Sequence, residues 1–472
     1  MNKQSHFDYI IIGAGSAGFA AAIKADELGA KTALVNAGLP LGGTCVNVGC
    51  VPSKTLLNIA QTYYDSTSRI TPGIHFEKVT LNFQEAIDHE LKLVEEMQKT
   101  KYQDVLARLT NVTYFDGEAK FISNRGIAIN GDTFSSEKFL ICNGSTAIAP
   151  PISGLDRVSY ITHTEALKLK TLPTHLLVVG GGPVALEFAQ MYAHFGSRVT
   201  ILQRSQILKG AEPEISKGII EILKEEGIEI LEGVEFLGVG ESEAGKSVKV
   251  KIGATYNERV FVGDELLVGT GKRPNTAELG LNMVGVEVEK DGAVKINEMM
   301  QTTNQAVYAA GDVIDSPKRL ETTAAKEGNI ATENALEGAN RKMTYHDVPS
   351  VVFTTPAVAS VGLTEREVVN KDISCNCTTI PFEFVPKAKI IGDTRGVIKM
   401  VIDDKTKKIL GLHILSRHAE ELIHEATLAV KFGLTLEDIR DTVHVFPTLS
   451  ESIKLIATSF DKDLTRLSCC IE

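Results

Sequence analysis

The chain has 472 residues, 43% hydrophobic and 23% charged, with 49 Lys and Arg against 60 Asp and Glu and a formal charge of −11. That length holds about three domains at ~150 residues each, and the negative balance argues against nucleic acid or an anionic membrane as the main partner. No apolar run nears the ~18 residues that cross a bilayer, the polar start leads into a strand rather than a signal peptide, and 7 cysteines are too few for a disulfide scaffold, so a reducing, cytoplasmic setting is expected.

Residues 7–12 are a short apolar run with β-branched side chains, the pattern of a buried parallel strand. Gly13-Ala14-Gly15-Ser16-Ala17-Gly18 follows, then a helical stretch over 19–28 and a second strand over 31–35. A Gly-rich turn in this context lets the backbone and a helix N-terminus approach a pyrophosphate through Gly13, Gly15 and Gly18. The alternative is a turn without a ligand. The second strand ends at Val35-Asn36, so a ribose hydroxyl would meet Asn36 rather than a carboxylate, without charge assistance.

Next comes Gly42-Gly43-Thr44-Cys45-Val46-Asn47-Val48-Gly49-Cys50-Val51-Pro52-Ser53-Lys54. Two cysteines with four residues between them near a helix start can close a redox-active disulfide, and the helix N-terminus and Lys54 favour thiolate. A structural disulfide or a metal clip is the other reading. Residues 76–109 are charged and helical in pattern, and 112–140 read as short strands. Cys142 lies in an apolar run and reads as a small hydrophobe. Pro150-Pro151 with Gly154 reads as a linker between domains.

The opening pattern then returns: a strand over 176–179, the turn Gly180-Gly181-Gly182-Pro183-Val184-Ala185, a helix over 186–195 and a strand over 198–202. Two such units make this an α/β chain with two Rossmann-like dinucleotide-binding domains. The strand end Leu202-Gln203-Arg204-Ser205 offers no carboxylate to select NAD. Arg204 is placed to meet a 2′-phosphate, which points to NADPH, or else it is a solvated charge. After a composition shift near 345–349, strand character appears over 351–362, 377–384 and 396–402, and an amphipathic helix over 420–432. Cys375 and Cys377 alternate as on a strand, either structural or an accessory metal contact. The tail ends Ser468-Cys469-Cys470-Ile471-Glu472; adjacent thiols there suit capture of a soft metal, or are incidental.

The Cys45/Cys50 motif, the two turns and Tyr308-Ala309-Ala310-Gly311-Asp312 together resemble the pyridine nucleotide-disulfide oxidoreductases over nearly the whole chain. That resemblance implies FAD on Gly13, Gly15, Gly18, Asn36, Gly43, Thr44, Lys54, Gly144 and Asp312, with Asp312 at the ribityl region. It implies NADPH on Gly180, Gly182, Ala185, Glu187, Arg204 and Gly271. Cys50 would be the thiol nearest the flavin, Cys45 the exchange thiol, and Lys54 and Glu187 an ion pair beside the flavin's reactive nitrogen. The implied domains are 1–150 (FAD, first part), 151–277 (NAD(P)), 278–345 (FAD, return segment) and 346–472 (an α+β dimerisation domain with the cysteine tail).

Members acting on organic disulfides carry His-x-His-Pro, the second His shuttling the thiol proton. This chain reads His444-Val445-Phe446-Pro447 with Glu451 downstream, and Phe446 cannot accept a proton. The Phe and the vicinal tail pair are similar to the mercury(II)-reducing branch. That branch has Tyr where Thr448 stands, and its other Tyr near the metal matches Tyr102. The resemblance implies NADPH-driven reduction of Hg(II), delivered as thiol complexes, to Hg(0), with Cys45, Cys50, Cys469 and Cys470 as mercury ligands. It also implies a homodimer with shared active sites. The amino-terminal heavy-metal domain of some such enzymes is not expected, because the FAD unit starts at Phe7. The rival expectations are a lipoamide-dehydrogenase-like disulfide reductase and a flavoprotein that sequesters soft metal.

Overall fold

The computed structural model describes residues 5–69, 71–253 and 257–468. They divide into two compact units, the first made of 5–55, 84–148 and 271–345 and the second of 56–83, 149–270 and 346–468.

The first unit is built on β1 (Ser5–Ile12), α1 (Ser16–Glu27), β2 (Thr32–Asn36), α2 (Gly43–Val48) and the start of α3 (Cys50–Thr67). All five residues of β2 are buried, as expected of a parallel strand covered on both faces. β1 pairs in parallel with β2 and with the strand Asp132–Ile141. Val112–Asp116 extends the sheet beyond β2, Val307–Ala309 joins Asp132–Ile141, and the antiparallel strands Gly126–Ile129 and Ala119–Ser123 follow on from Asp132–Ile141, completing seven strands. α1 faces the interior with Ala17, Gly18, Ala21, Ala22 and Ala25. These small residues let the helix Glu321–Glu337 approach closely: a Cβ on Gly328 would stand 2.2 Å from the carbonyl oxygen of Ala17. Of the stretch expected to be helical over 76–109, only the part from Phe83 is so. Residues 71–82 hold no helix or strand, and Ile74 and Phe76 are exposed there.

The second unit repeats the nucleotide-binding pattern with β3 (His175–Val179), α4 (Pro183–Phe195) and β4 (Arg198–Gln203) in a four-stranded parallel sheet. A three-stranded antiparallel sheet spans 235–263. A five-stranded antiparallel sheet carries α5 (Ala419–Phe432) on one face, with Ile398, Leu412, Ile414, Ile423 and Ala426 in the core between them. Its strand Ile409–Ser416 was not evident from the sequence. Cys375 and Cys377 lie on an edge strand, and burial pushes the Cys377 thiol up to about 12. Among the described residues no helix is long and apolar enough to cross a membrane.

Candidate active site

A cavity of about 1350 Å³ opens at the C-terminal end of β1, larger than the ~300–1,000 Å³ of a drug-sized site. Gly13, Gly15, Asn36, Gly43, Thr44, Cys45, Cys50, Gly144 and Asp312 all line it. Gly18 sits behind the turn, where a Cβ would fall 1.8 Å from the Gly13 carbonyl oxygen; only glycine lets α1 pack so close to β1. A Cβ on Gly15 would meet only Gly43 Cα, at 3.9 Å, so the turn stays accessible to a phosphate. These features fit the diphosphate of a flavin dinucleotide. Asp312 accepts from Ser145 Oγ at 2.9 Å and lies 3.6 Å from Lys272 Nζ.

Asn36 has another duty besides the one its position suggests. Its Oδ1 accepts from the Ala14 N–H at 3.2 Å and its Nδ2 donates to the Leu39 carbonyl at 2.9 Å. It thus ties the Gly-rich turn to the loop after β2. Cys142 is buried and its Sγ lies 3.3 Å from the Gly13 carbonyl oxygen, a packing position.

At the floor of the cavity Cys45 is in α2 and Cys50 is the first residue of α3, both as free thiols. Cys45 Sγ donates to Glu321 Oε2 at 2.5 Å. The adjacent Cys50 sulfur, burial and the Glu321 carboxylate hold the Cys45 thiol far above its ordinary range. Cys50 moves the other way, lowered by its hydrogen bond with Cys45, with Lys54 adding positive charge. The pair is therefore pushed in opposite directions, Cys45 toward the thiol and Cys50 toward the thiolate. Tyr102 packs edge-on against Phe19, with ring centroids 4.9 Å apart. Burial, then the charges of Glu321, Cys45 and Cys50, push its hydroxyl up to about 12.

Sequence reasoning missed two acids here. Glu321 comes to Cys45 only through the tertiary fold. Glu327 is buried and accepts from the Gly311 N–H at 2.7 Å, Ser316 Oγ at 3.2 Å and Tyr345 Oη at 2.8 Å, fixing the turn that carries Asp312. Its signal was a carboxylate among Ala324, Gly328 and Ala331, on the buried face of a helix.

In the second unit, a Cβ on Gly180 would stand 2.4 Å from the Gly269 carbonyl oxygen, whereas Gly182 has open space beside it. Ala185 is buried where the helix meets the strands. This second turn also fits a dinucleotide phosphate. Gln203 Nε2 donates to Ser205 Oγ at 2.9 Å, and Arg204 is exposed with no hydrogen bond or ion pair to the described residues. A charge-assisted bond from Arg204 to a 2′-phosphate is worth roughly 1.5–3 kcal/mol. Arg204→Gln is therefore expected to lower the NADPH-over-NADH preference in kcat/KM about tenfold to a hundredfold; an unchanged ratio would refute the assignment. Glu187 is buried on α4 and accepts from the Phe353 N–H at 2.9 Å. Gly271 has a left-handed φ of 118°, with nothing within 4 Å of an added Cβ.

Phe446 is half exposed, and its neighbours have other tasks. Glu451 accepts from the Thr448 N–H at 3.3 Å. His444 Nε2 lies 2.9 Å from Glu425 Oε1 on α5. The Glu425 carboxylate holds His444 above the ordinary imidazole range. The stabilisation from this pair is thus complete below about pH 6.5 and is lost as pH rises through the higher folded value. The melting-temperature gap between the parent chain and His444→Gln should be widest near pH 6 and shrink toward pH 9; a gap constant with pH would contradict this. Leu428 and Phe432 share a face of α5 with Glu425, and with Val443 and Val445 they are exposed apolar groups. The tail cysteines Cys469 and Cys470 lie outside the described residues.

Comparison with known proteins identifies the family. The family model for pyridine nucleotide-disulphide oxidoreductase matches residues 7–328, and the model for that family's dimerisation domain matches 348–457. The chain is 41% identical over 469 residues to the mercuric reductase of Lysinibacillus sphaericus, covering 99% of this chain and 85% of that one. It is 34% identical over 467 residues to the mitochondrial dihydrolipoyl dehydrogenase of Pisum sativum, covering 97% and 92%. Among solved structures, the HOCl-induced flavoprotein disulfide reductase RclA from Escherichia coli aligns with a TM-score of 0.83 at 30% identity, covering 96% of this chain and 99% of that one. The chain belongs to the pyridine nucleotide-disulphide oxidoreductase family.

Proposed function

We propose that this oxidoreductase reduces Hg(II) to Hg(0) at the expense of NADPH. The cofactors are FAD and NADPH. The observation that carries the reading is Phe446, the residue that stands before Pro447 where disulfide-reducing members carry their proton-shuttling His. His444 is bonded to Glu425. A dithiol so placed is poorly equipped for thiol–disulfide exchange, which needs a proton carrier, but well suited to a soft cation that binds thiolate directly. The 41% identity to a mercuric reductase supports it further.

Bound NADPH and FAD supply two electrons, originating as a hydride on the nicotinamide. Cys45 and Cys50, releasing to solvent whatever protons they hold, take Hg(II) from its thiol carriers as thiolates. The carrier thiols leave as the protein sulfurs replace them. Overall, NADPH and Hg(II) become NADP⁺, a proton and Hg(0); the neutral atom has no charge to hold it to sulfur. Lys54 would stand beside the flavin, and Tyr102 would flank the metal. Cys469 and Cys470 would collect the metal and pass it to the Cys45/Cys50 pair of a second copy. The exposed apolar face of α5 and the match to a dimerisation domain support a homodimer. The domains would run 1–150, 151–277, 278–345 and 346–472.

The test compares NADPH oxidation with Hg(II)-thiol complexes, lipoamide and oxidised glutathione. The missing proton shuttle should leave the two organic disulfides slower by about 10²–10⁴-fold. Lipoamide turnover equal to that with mercury would favour the disulfide-reductase reading, and binding of mercury without turnover would favour sequestration.

A further inference from the structure

Glu321 plays no part in the reading above, yet it touches the exchange thiol. It opens the helix Glu321–Glu337, its side chain is exposed, and its carboxylate accepts from Cys45 Sγ at 2.5 Å. One sulfur from each cysteine and a carboxylate oxygen of Glu321 lie within 4.8 Å of one another, in the same cavity. We propose that in the reduced enzyme Cys45, Cys50 and Glu321 form a three-donor site for a borderline divalent cation of the zinc class, and that Glu321 sets which metals compete with mercury. The inference rests on Cys45 and Cys50 being the redox pair.

The donor chemistry separates the two kinds of cation. Soft Hg(II) needs no more than the thiolates. Zn(II) takes four donors in a tetrahedron from sulfur, nitrogen and oxygen, and open zinc sites have three protein ligands plus water. Two cysteines and one glutamate make up those three, and the exposure of Cys50 and Glu321 leaves room for the water. With metal–sulfur distances of ~2.3 Å and metal–oxygen distances of ~2.0–2.2 Å, neighbouring donors stand roughly 3.5–4 Å apart. The Cys45–Glu321 pair must then open by about 1 Å from its hydrogen-bonded contact, which an exposed side chain at the start of a helix can do.

The exchange balances as a proton displacement. Zn(II) displaces whatever protons Cys45 and Cys50 hold, binds both as thiolates together with the Glu321 carboxylate, and those protons pass to solvent. Zinc has no accessible redox step, so the complex caps the pair without being reduced and excludes mercury. An apolar residue at 321 would leave only two donors and a weaker hold on zinc.

The test uses FAD-loaded protein carrying Cys469→Ala and Cys470→Ala, so that tail thiols do not contribute. Zn(II) is titrated against a chromogenic chelator, with the protein either oxidised or reduced by a phosphine that is then removed. The reduced form should bind one more Zn(II) per chain than the oxidised form; any contribution of Cys375 and Cys377 is the same in both. Glu321→Gln, checked for an unchanged flavin spectrum, should weaken that extra site by at least ~10-fold, and Glu321→Asp should restore part of the loss. Equal zinc affinity in Glu321→Gln and its parent, or equal zinc binding in the two redox states, overturns the inference. Mercury-dependent NADPH oxidation by chelator-treated enzyme is a separate reading. If it fails while the reduced pair binds zinc with this dependence on Glu321, the mercury assignment falls and the site stands.

Discussion

Cys50→Ala is expected to abolish mercury-dependent NADPH oxidation and, with it, the long-wavelength absorption that a thiolate beside an oxidised flavin produces. Cys45→Ala should abolish turnover as well but keep that absorption. The split follows from the opposite environments of the two sulfurs. Cys50 starts α3 and is lowered by its hydrogen bond with Cys45 and by Lys54, whereas Cys45 is held as a thiol against Glu321. Each loss in kcat should be on the order of 10³-fold or more, the scale on which removing one member of an interdependent catalytic set is felt. Thiol titration gives a second check, with two more free thiols per chain after NADPH reduction than before. Loss of the absorption in Cys45→Ala, with Cys50→Ala retaining it, would reverse the assignment.

The second large effect concerns the tail. Cys469→Ala with Cys470→Ala should lower turnover about 10²-fold or more when mercury arrives on bulky thiol ligands, since a tethered thiol pair acts at high effective concentration. Small ligands should lessen the loss, because they reach Cys45 unaided. Mixing this variant with a Cys45→Ala/Cys50→Ala variant under subunit exchange should restore activity on the bulky complexes. In the mixed dimer an intact tail then serves the other chain's intact pair. No recovery in confirmed mixed dimers would mean that the tail serves its own chain or delivers no metal.

What the sequence made legible was set by local chemistry. Gly13 and Gly15 sit between a β-branched run and a helix whose first turn holds Gly18, and that spacing alone predicts β1, its turn and α1; the repeat predicts β3, α4 and β4 in the same way. Cys45, Cys50 and Lys54 are close in sequence, so their shared corner was readable before any fold was known. Glu321 was not, because 276 residues separate it from Cys45 and only the packing of the helix Glu321–Glu337 on α1 brings it there. The double engagement of Asn36 was equally hidden, since its partners are backbone groups of the turn and loop it joins. The substitution at Phe446 was visible, but the use of Glu451 to hold the Thr448 N–H appears only in three dimensions.

Elemental mercury released per NADPH oxidised is the most direct measure of the central claim. With anaerobic enzyme, FAD, excess thiol and Hg(II), the two-electron balance predicts one Hg(0) in the gas phase for each NADPH consumed, and none from Cys50→Ala. NADPH consumption without mercury vapour, or vapour at the same rate from Cys50→Ala, would contradict the account.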